Sequence, residues 1–188
     1  MRRNIEEKII SKTKHVEHVL RTAVGCNSEV IKLPLGGQVM PYFKDAKNVW
    51  HAVLINQYRI ALKKNTLEAA GGIIDKGETP QEALSRELKE ETGILVKPKS
   101  IKIVFEEYPM SSIVDAIVFG GIVEIKTGTV KNKKIADDNH ERENTRVKIF
   151  KLADLIKKRL AKTLKIDLMT SRLIDEVAKE IGLLVKKY

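Results

Sequence analysis

Apolar residues recur along this chain with two periods, and the places where the period changes mark out its elements. Over residues 5–29 apolar and polar positions alternate loosely, as in KIISKTKHVEHVL, which reads as short strands, although periodicity alone leaves a helix open. Residues 29–35 read as a further strand, broken by Pro34 and by a turn at Gly36-Gly37, with residues 38–42 as the returning partner. The run WHAVLIN at 50–56 is apolar between polar flanks and predicts a central buried strand, with His51 packed rather than catalytic because no partner carboxylate is evident near it. Residues 100–108 and 113–125 behave as strands on either side of Pro109-Met110-Ser111-Ser112, and a last strand is expected over 146–152. The period then becomes helical. Leu155, Ile156 and Leu160, then Leu168, Leu173, Ile174, Val177 and Ile181, predict two helices over 153–162 and 167–181 that pack on a sheet.

The sharpest local punctuation lies between Gly72 and Ile94. Thr79 suits an N-cap, Pro80 the first helical position, Glu82 closes a T-x-x-E capping box, and Gly93 supplies the stop. Glu87 and Glu91 are four apart and Glu90 is three from Glu87, so three carboxylates project from one side of this helix while Leu84 and Leu88 mark another. Carboxylates crowded toward a helix C-terminus repel one another and oppose the dipole, unless a cation sits among them. Oxygen donors without cysteine or histidine indicate Mg²⁺ or Mn²⁺ rather than zinc. Arg86, four before Glu90, can brace a carboxylate. A solvated charged face is the alternative for an arbitrary E-x-x-E-E, but the glycine-rich lead-in and Glu78 at its spacing weigh against it.

Gly72, Glu78, Arg86, Glu87, Leu88, Glu90, Glu91, Gly93 and Ile94 stand where the Nudix box has its fixed positions, so the chain resembles the Nudix hydrolase family at nine positions over twenty-three residues. The resemblance implies an α+β fold, a Nudix-type α/β/α sandwich with a mixed β-sheet and a loop-helix-loop metal site. It also implies hydrolysis of a nucleoside diphosphate linked to another group. On it, Glu87, Glu90 and Glu91 are the ligands of Mg²⁺ or Mn²⁺, Arg86 orients them, and the backbone carbonyl of Gly71 completes the coordination.

Beyond the box, Gln57-Tyr58-Arg59 and Glu68-Ala69-Ala70-Gly71-Gly72 resemble the Q-Y-R and E-x-P-A-G segments of the group that hydrolyses ADP-ribose and other nucleoside diphosphate sugars, with Ala70 in the proline place and Gly71 in the alanine place. Pro109, sixteen residues after Gly93, matches that group's proline. The acid that usually follows is displaced, and Asp115 is its nearest candidate. Arg59 suits a phosphate clamp through its guanidinium fork, against the plainer reading of an exposed strand-end arginine. Tyr58 or Trp50 is a candidate to stack on the base. Residues 137–145 are by composition a polar surface loop. The resemblance places the general base there at Glu143, three before Arg146, with Glu141 and His140 as substitutes.

Composition adjusts this picture in a few places. A length of 188 residues suits one domain with additions, divided as N-terminal strands over 1–45 and a Nudix hydrolase domain over 46–188. No apolar run approaches a membrane span and the first ten residues are too acidic for a signal peptide, so a cytoplasmic protein is expected. Cys26 is the lone cysteine and reads as a buried or partly buried thiol. A formal charge of +10 favours polyanionic ligands and leaves nucleic acid open as a partner, although much of it lies on residues such as Lys157, Lys158 and Arg159 of amphipathic helices.

Three functions follow. The first is a nucleoside diphosphate sugar hydrolase, expected as a homodimer with its N-terminal strands at the interface. The second is a hydrolase of RNA 5′ ends or dinucleoside polyphosphates. The third is a non-catalytic nucleotide sensor.

Overall fold

The computed structural model describes residues 5–23, 25–130 and 145–183. In chain order the strands are β1 (Glu6–Lys12), β2 (Glu17–Ala23), β3 (Cys26–Lys32), β4 (Gly36–Lys44), β5 (Trp50–Arg59), β6 (Lys64–Glu68), β7 (Ala70–Ile73), β8 (Lys102–Glu107), β9 (Val114–Asp115), β10 (Val118–Glu124) and β11 (Arg146–Lys151). The helices are α1 (Pro80–Thr92), α2 (Leu152–Leu160) and α3 (Leu168–Glu180).

A seven-stranded sheet runs β11-β5-β4-β10-β8, with β6 added to β5 and β7 to β4. It is mixed: β4 and β10 are parallel, while β5 is antiparallel to β4, β6 and β11. Successive side chains of its central strands go to opposite faces, as strand geometry requires. Val39, Val53 and Val123 meet Leu84 and Leu88 of α1, whereas Met40, Leu54 and Ile122 meet Leu155 of α2 and Leu173, Ile174 and Val177 of α3. The result is the expected α+β architecture, with helix, sheet and helix in three layers. Short strands do form over 5–29 and both C-terminal helices are present, but the strand expected over 29–35 is β3, which begins at Cys26 and ends at Lys32; β5 carries the buried run Ala52–Ile55 through its middle.

A second sheet, of order β1-β2-β3-β9, is built from the N-terminal strands and one short strand of the later chain. It corrects two expectations. Gly36-Gly37 is not a turn but the start of β4, which leaves β3 behind and joins the large sheet. The glycine serves close packing: a Cβ on Gly37 would stand 2.7 Å from the Phe119 carbonyl oxygen and 3.1 Å from a Leu84 methyl. The apolar run 113–125 is likewise two strands, because β9 pairs with β3 in the small sheet and β10 with β4 in the large one. The change of sheet thus falls between Lys32 and Gly36, inside the segment read as N-terminal.

Four single residues also differ from expectation. His51 is packed, stacked on Phe43 at 5.1 Å, but it does have a carboxylate partner, since its Nε2 lies 3.0 Å from Asp45 Oδ2. Leu160 and Leu168 are 71% and 74% exposed, because they sit at the ends of α2 and α3 where the apolar stripe has turned away from the sheet. Cys26 is exposed at the start of β3 rather than buried. Among the described residues no helix is long and apolar enough to cross a membrane.

Candidate active site

Two adjacent glycines decide how the end of β7 meets its neighbours. Gly71 and Gly72 pair with Gln38 and Gly37 of β4. A Cβ on Gly71 would lie 2.7 Å from the Gln38 Cα, and one on Gly72 would lie 2.5 Å from the Glu87 carboxyl carbon. Only bare backbone fits between β4 on one side and the Glu87 carboxylate on the other.

The helix that carries this carboxylate starts as its sequence dictates. The Thr79 hydroxyl accepts from the Glu82 N–H, the Glu82 carboxylate accepts from the Thr79 N–H at 2.8 Å, and Pro80 occupies the first turn. At the far end Gly93 takes φ +74°, and its N–H donates to the Lys89 carbonyl. Leu88, fully buried against the sheet, fixes the rotation that turns Glu87 and Glu91 inward, where each is only 5% exposed.

Arg86 ties the preceding loop to this helix. Its guanidinium donates to both Glu78 oxygens at 3.0 and 2.9 Å, to the Ile73 carbonyl at 3.0 Å and to Glu87 Oε1 at 2.7 Å. Glu90, the expected partner, is in an ion pair with Arg86 at 3.7 Å, while the hydrogen bonds run back to the loop and to Glu87. Arg86 pulls the Glu78 carboxyl down to about 2, helped by the Asp75 N–H, and Glu78 in return raises Arg86 further above its already high value. A carboxyl lowered on folding stabilises the fold above its ordinary value of 4.5, and that contribution is lost as pH falls from there toward about 2. Melting temperatures of wild type and Glu78→Gln, compared from pH 7 downward, should therefore converge below roughly pH 4.5. A gap that stays constant down to about pH 2 would contradict this.

Glu87 and Glu91 line a cavity of about 580 Å³ that also takes in Gly71–Ile73, the β5 residues Gln57, Tyr58 and Arg59, and His15 from the turn between β1 and β2. The Gly71 carbonyl is the expected ligand here, and the Gly71 N–H donates to Glu91 Oε2 at 2.8 Å. Tyr58 is 43% exposed. Arg59 is committed to Glu68, with Nε on Oε1 at 2.8 Å and a second, shorter bond from Nη2 to Oε2. Glu68 also accepts from Thr66 Oγ1 at 2.5 Å and Gln57 Nε2 at 3.2 Å. Burial pushes the Glu68 carboxyl up, but the bonds from Arg59 and Thr66 outweigh it and hold the group below the usual range.

Arg59 is shared with a second cavity of about 480 Å³ that includes Glu68, Phe105, Pro109, Asp167 and Arg172. Asp167 caps α3 by accepting from the Thr170 N–H at 2.7 Å and takes a bond from Gln38 Nε2 at 3.0 Å. Burial leaves its carboxyl raised in spite of these bonds.

The site residues read from the sequence thus divide by place. Gly71, Glu87, Glu91, Tyr58 and Arg59 share one cavity, and Glu68 and Pro109 line the adjoining one. Arg86 and the more exposed Glu90 stand outside both linings. Asp115 is engaged elsewhere, in an ion pair at 2.5 Å with Arg21 of β2. Trp50 packs on Tyr42 at 5.8 Å under Lys44, away from either cavity. Glu143, Glu141 and His140 lie outside the described residues. Two residues were missed. Asp167 had a signal, an Asp ahead of an apolar-periodic run, whereas nothing local marks His15.

The donor chemistry fits a hard divalent cation, being all oxygen, and the glycine cradle under Glu87 leaves no room for anything bulkier than backbone. Among the described residues, however, no three carboxylate, imidazole or thiol side chains converge as a ligand cage, so Glu87, Glu90 and Glu91 are neighbours on one helix rather than a closed set.

The NUDIX domain matches residues 43–169. A Caenorhabditis elegans protein provisionally named nudix hydrolase 2 is 52% identical over 56 residues, 30% of this chain and 23% of that protein. The ADP-ribose pyrophosphatase of Bacillus subtilis (strain 168) is 26% identical over 147 residues, 73% of this chain and 76% of its own. The 8-oxo-dGTP diphosphatase of Haemophilus influenzae is 49% identical over 45 residues, 23% and 33% of the two chains. The chain therefore spans less than a quarter of the first of these relatives and about a third of the last, and most of the second. Because the domain match takes in more than half of the chain and includes the whole segment from Gly71 to Gly93, this protein belongs to the Nudix family.

Proposed function

We propose that this enzyme hydrolyses the pyrophosphate bond of a nucleoside diphosphate sugar of the ADP-ribose or GDP-mannose type. The observation that carries the reading is the sharing of Arg59 between the two cavities, one lined by Glu87 and Glu91 and the other by Pro109 and Phe105. A molecule with a pyrophosphate between two ring-bearing halves suits that division. The resemblance of residues 57–72 to the sugar nucleotide group, and the similarity to a Bacillus pyrophosphatase over most of the chain, support it. Attack of water on one phosphorus breaks its bond to the bridging oxygen, giving a nucleoside monophosphate and a sugar phosphate.

In this reading Glu87, Glu90 and Glu91 would hold Mg²⁺ or Mn²⁺, and the bound ion would supply neutralisation of phosphate charge and activation of water. Arg86 positions Glu87, and Gly72 leaves room for it. Arg59, its charge shared with Glu68, contacts a phosphate, and Tyr58 offers the exposed ring for stacking. Glu143, or Glu141 beside it, accepts the water proton. The protein acts in the cytoplasm.

A panel of ADP-ribose, GDP-mannose, 8-oxo-dGTP and 5′-triphosphorylated RNA, assayed for released phosphomonoester, tests the reading. The sugar nucleotides should be cleaved fastest. A second reading, an RNA 5′ end or a dinucleoside polyphosphate, is favoured by a cavity of about 310 Å³ in which Tyr58 is joined by Arg146 and Lys148. Faster cleavage of the RNA, with steep salt dependence, would select it.

We also propose a two-fold dimer through the small sheet. Its edge strand β1 is exposed along its whole length and presents Ile9 and Ile10. Deletion through Arg21 should weaken both dimerisation and substrate affinity, and a fully active monomer by light scattering would exclude the arrangement.

A further inference from the structure

We propose that His15 contacts the pyrophosphate of the substrate, so that the N-terminal hairpin forms part of the binding site of its own chain. This inference rests on the function proposed above and concerns the same cavity.

The position of His15 follows from its turn. The Thr13 N–H donates to the Val16 carbonyl at 2.8 Å and the Val16 N–H to the Thr13 hydroxyl at 3.2 Å, which holds Lys14 and His15 in a tight bend. Below the bend, Lys12 and Glu17 face each other across the hairpin with an ion pair at 2.5 Å. The hairpin in turn is tied to the catalytic body. Ile31 and Lys32 of β3 pair with Val114 and Asp115 of β9, and Asp115 holds Arg21 of β2. The bend is therefore a wall of the cavity rather than a loose arm, and His15 lines that cavity together with Glu87 and Glu91.

The charges then single out this side chain. A pyrophosphate brings negative charge into a cavity that already has two carboxylates on one wall. Arg59, which meets a phosphate in the proposed reading, has its charge shared with Glu68 through two hydrogen bonds, and Arg86 lies outside the lining, held by Glu78 and Glu87. Among the described residues lining the cavity, His15 is the remaining group that can carry positive charge, and no ion pair or hydrogen bond engages it. An imidazole presents an N–H donor in its neutral as well as its charged form, which suits a phosphate oxygen in this cavity.

The test uses the full chain with His15→Ala and His15→Gln. Because His15 is exposed, both variants should melt with the wild type. His15→Ala should raise KM for the best sugar nucleotide, and Kd for a methylene-bridged analogue of it, by about 10-fold, with kcat changed less; Gln, which keeps a donor, should recover part of the loss. Independently of turnover, titration with inorganic pyrophosphate should move the His15 ring resonance in NMR more than those of His18 and His51. Wild-type affinity in His15→Ala, a loss confined to kcat, or a ring signal that does not respond would each overturn the proposal. If wild type cleaves no sugar nucleotide, the functional reading fails, and the pyrophosphate titration still decides the role of His15.

Discussion

Glu91→Gln is expected to lower kcat/KM by roughly 10²–10³-fold while leaving the fold intact, since withdrawing several kcal/mol of charge stabilisation costs about tenfold per 1.36 kcal/mol. The substitution is nearly isosteric and keeps an amide oxygen able to accept from the Gly71 N–H, which Glu91 engages at 2.8 Å. It removes one negative charge from a helix side that also bears Glu87 and Glu90, so repulsion within the helix falls rather than rises. A stability measurement and a rate measurement should therefore part company: unchanged or slightly higher melting temperature, and activity nearly gone. Calorimetry should show weaker Mg²⁺ or Mn²⁺ binding to the variant in parallel. Near-normal turnover of Glu91→Gln, or full turnover of the wild type in excess chelator, would remove the metal-assisted reading.

What could be read from the chain, and what could not, separates by the distance over which the deciding interaction acts. The start and end of α1 were legible because Thr79, Pro80, Glu82 and Gly93 act within a single turn. The layering of the large sheet was legible for the same reason, since alternation along β4, β5 and β10 sorts side chains to the two faces wherever the strands pair. Partners set by non-local pairing were not. Arg86 keeps the ion pair four residues forward, with Glu90 at 3.7 Å, but its hydrogen bonds to Glu78, eight residues back, depend on the loop 74–79 and were not marked by helix spacing. Gly36-Gly37 carried a turn signal but is held flat by β10 on one side and Leu84 on the other, contacts that no window of sequence contains. Asp115 belongs to the sheet built by the N-terminal strands, which takes it into an ion pair with Arg21 instead of the cavity.

The two glycines at the end of β7 yield the second large effect, because they fail differently when given a methyl group. At Gly72 the new Cβ would meet the Glu87 carboxyl group, with its Oε2 at 2.8 Å. That group is the far end of a side chain and can swing aside, but doing so breaks its 2.7 Å bond from Arg86 and withdraws it from the cavity. Gly72→Ala should therefore retain most of its stability, losing on the order of 1–3 kcal/mol, and lose roughly a hundredfold or more in kcat/KM. At Gly71 the obstacle is the Gln38 Cα at 2.7 Å, which is backbone and has nowhere to go. There β7 must pull away from β4, breaking the pairing that spans Gly36–Val39 and Ala70–Ile73. Gly71→Ala should unfold well below the wild-type midpoint in urea, with activity falling only as the folded fraction falls and the Glu91 contact loosens. The reverse ordering, a stable and active Gly72→Ala, would mean that Glu87 does not need its place above this backbone, and with it the role assigned to Glu87 in the site would fall.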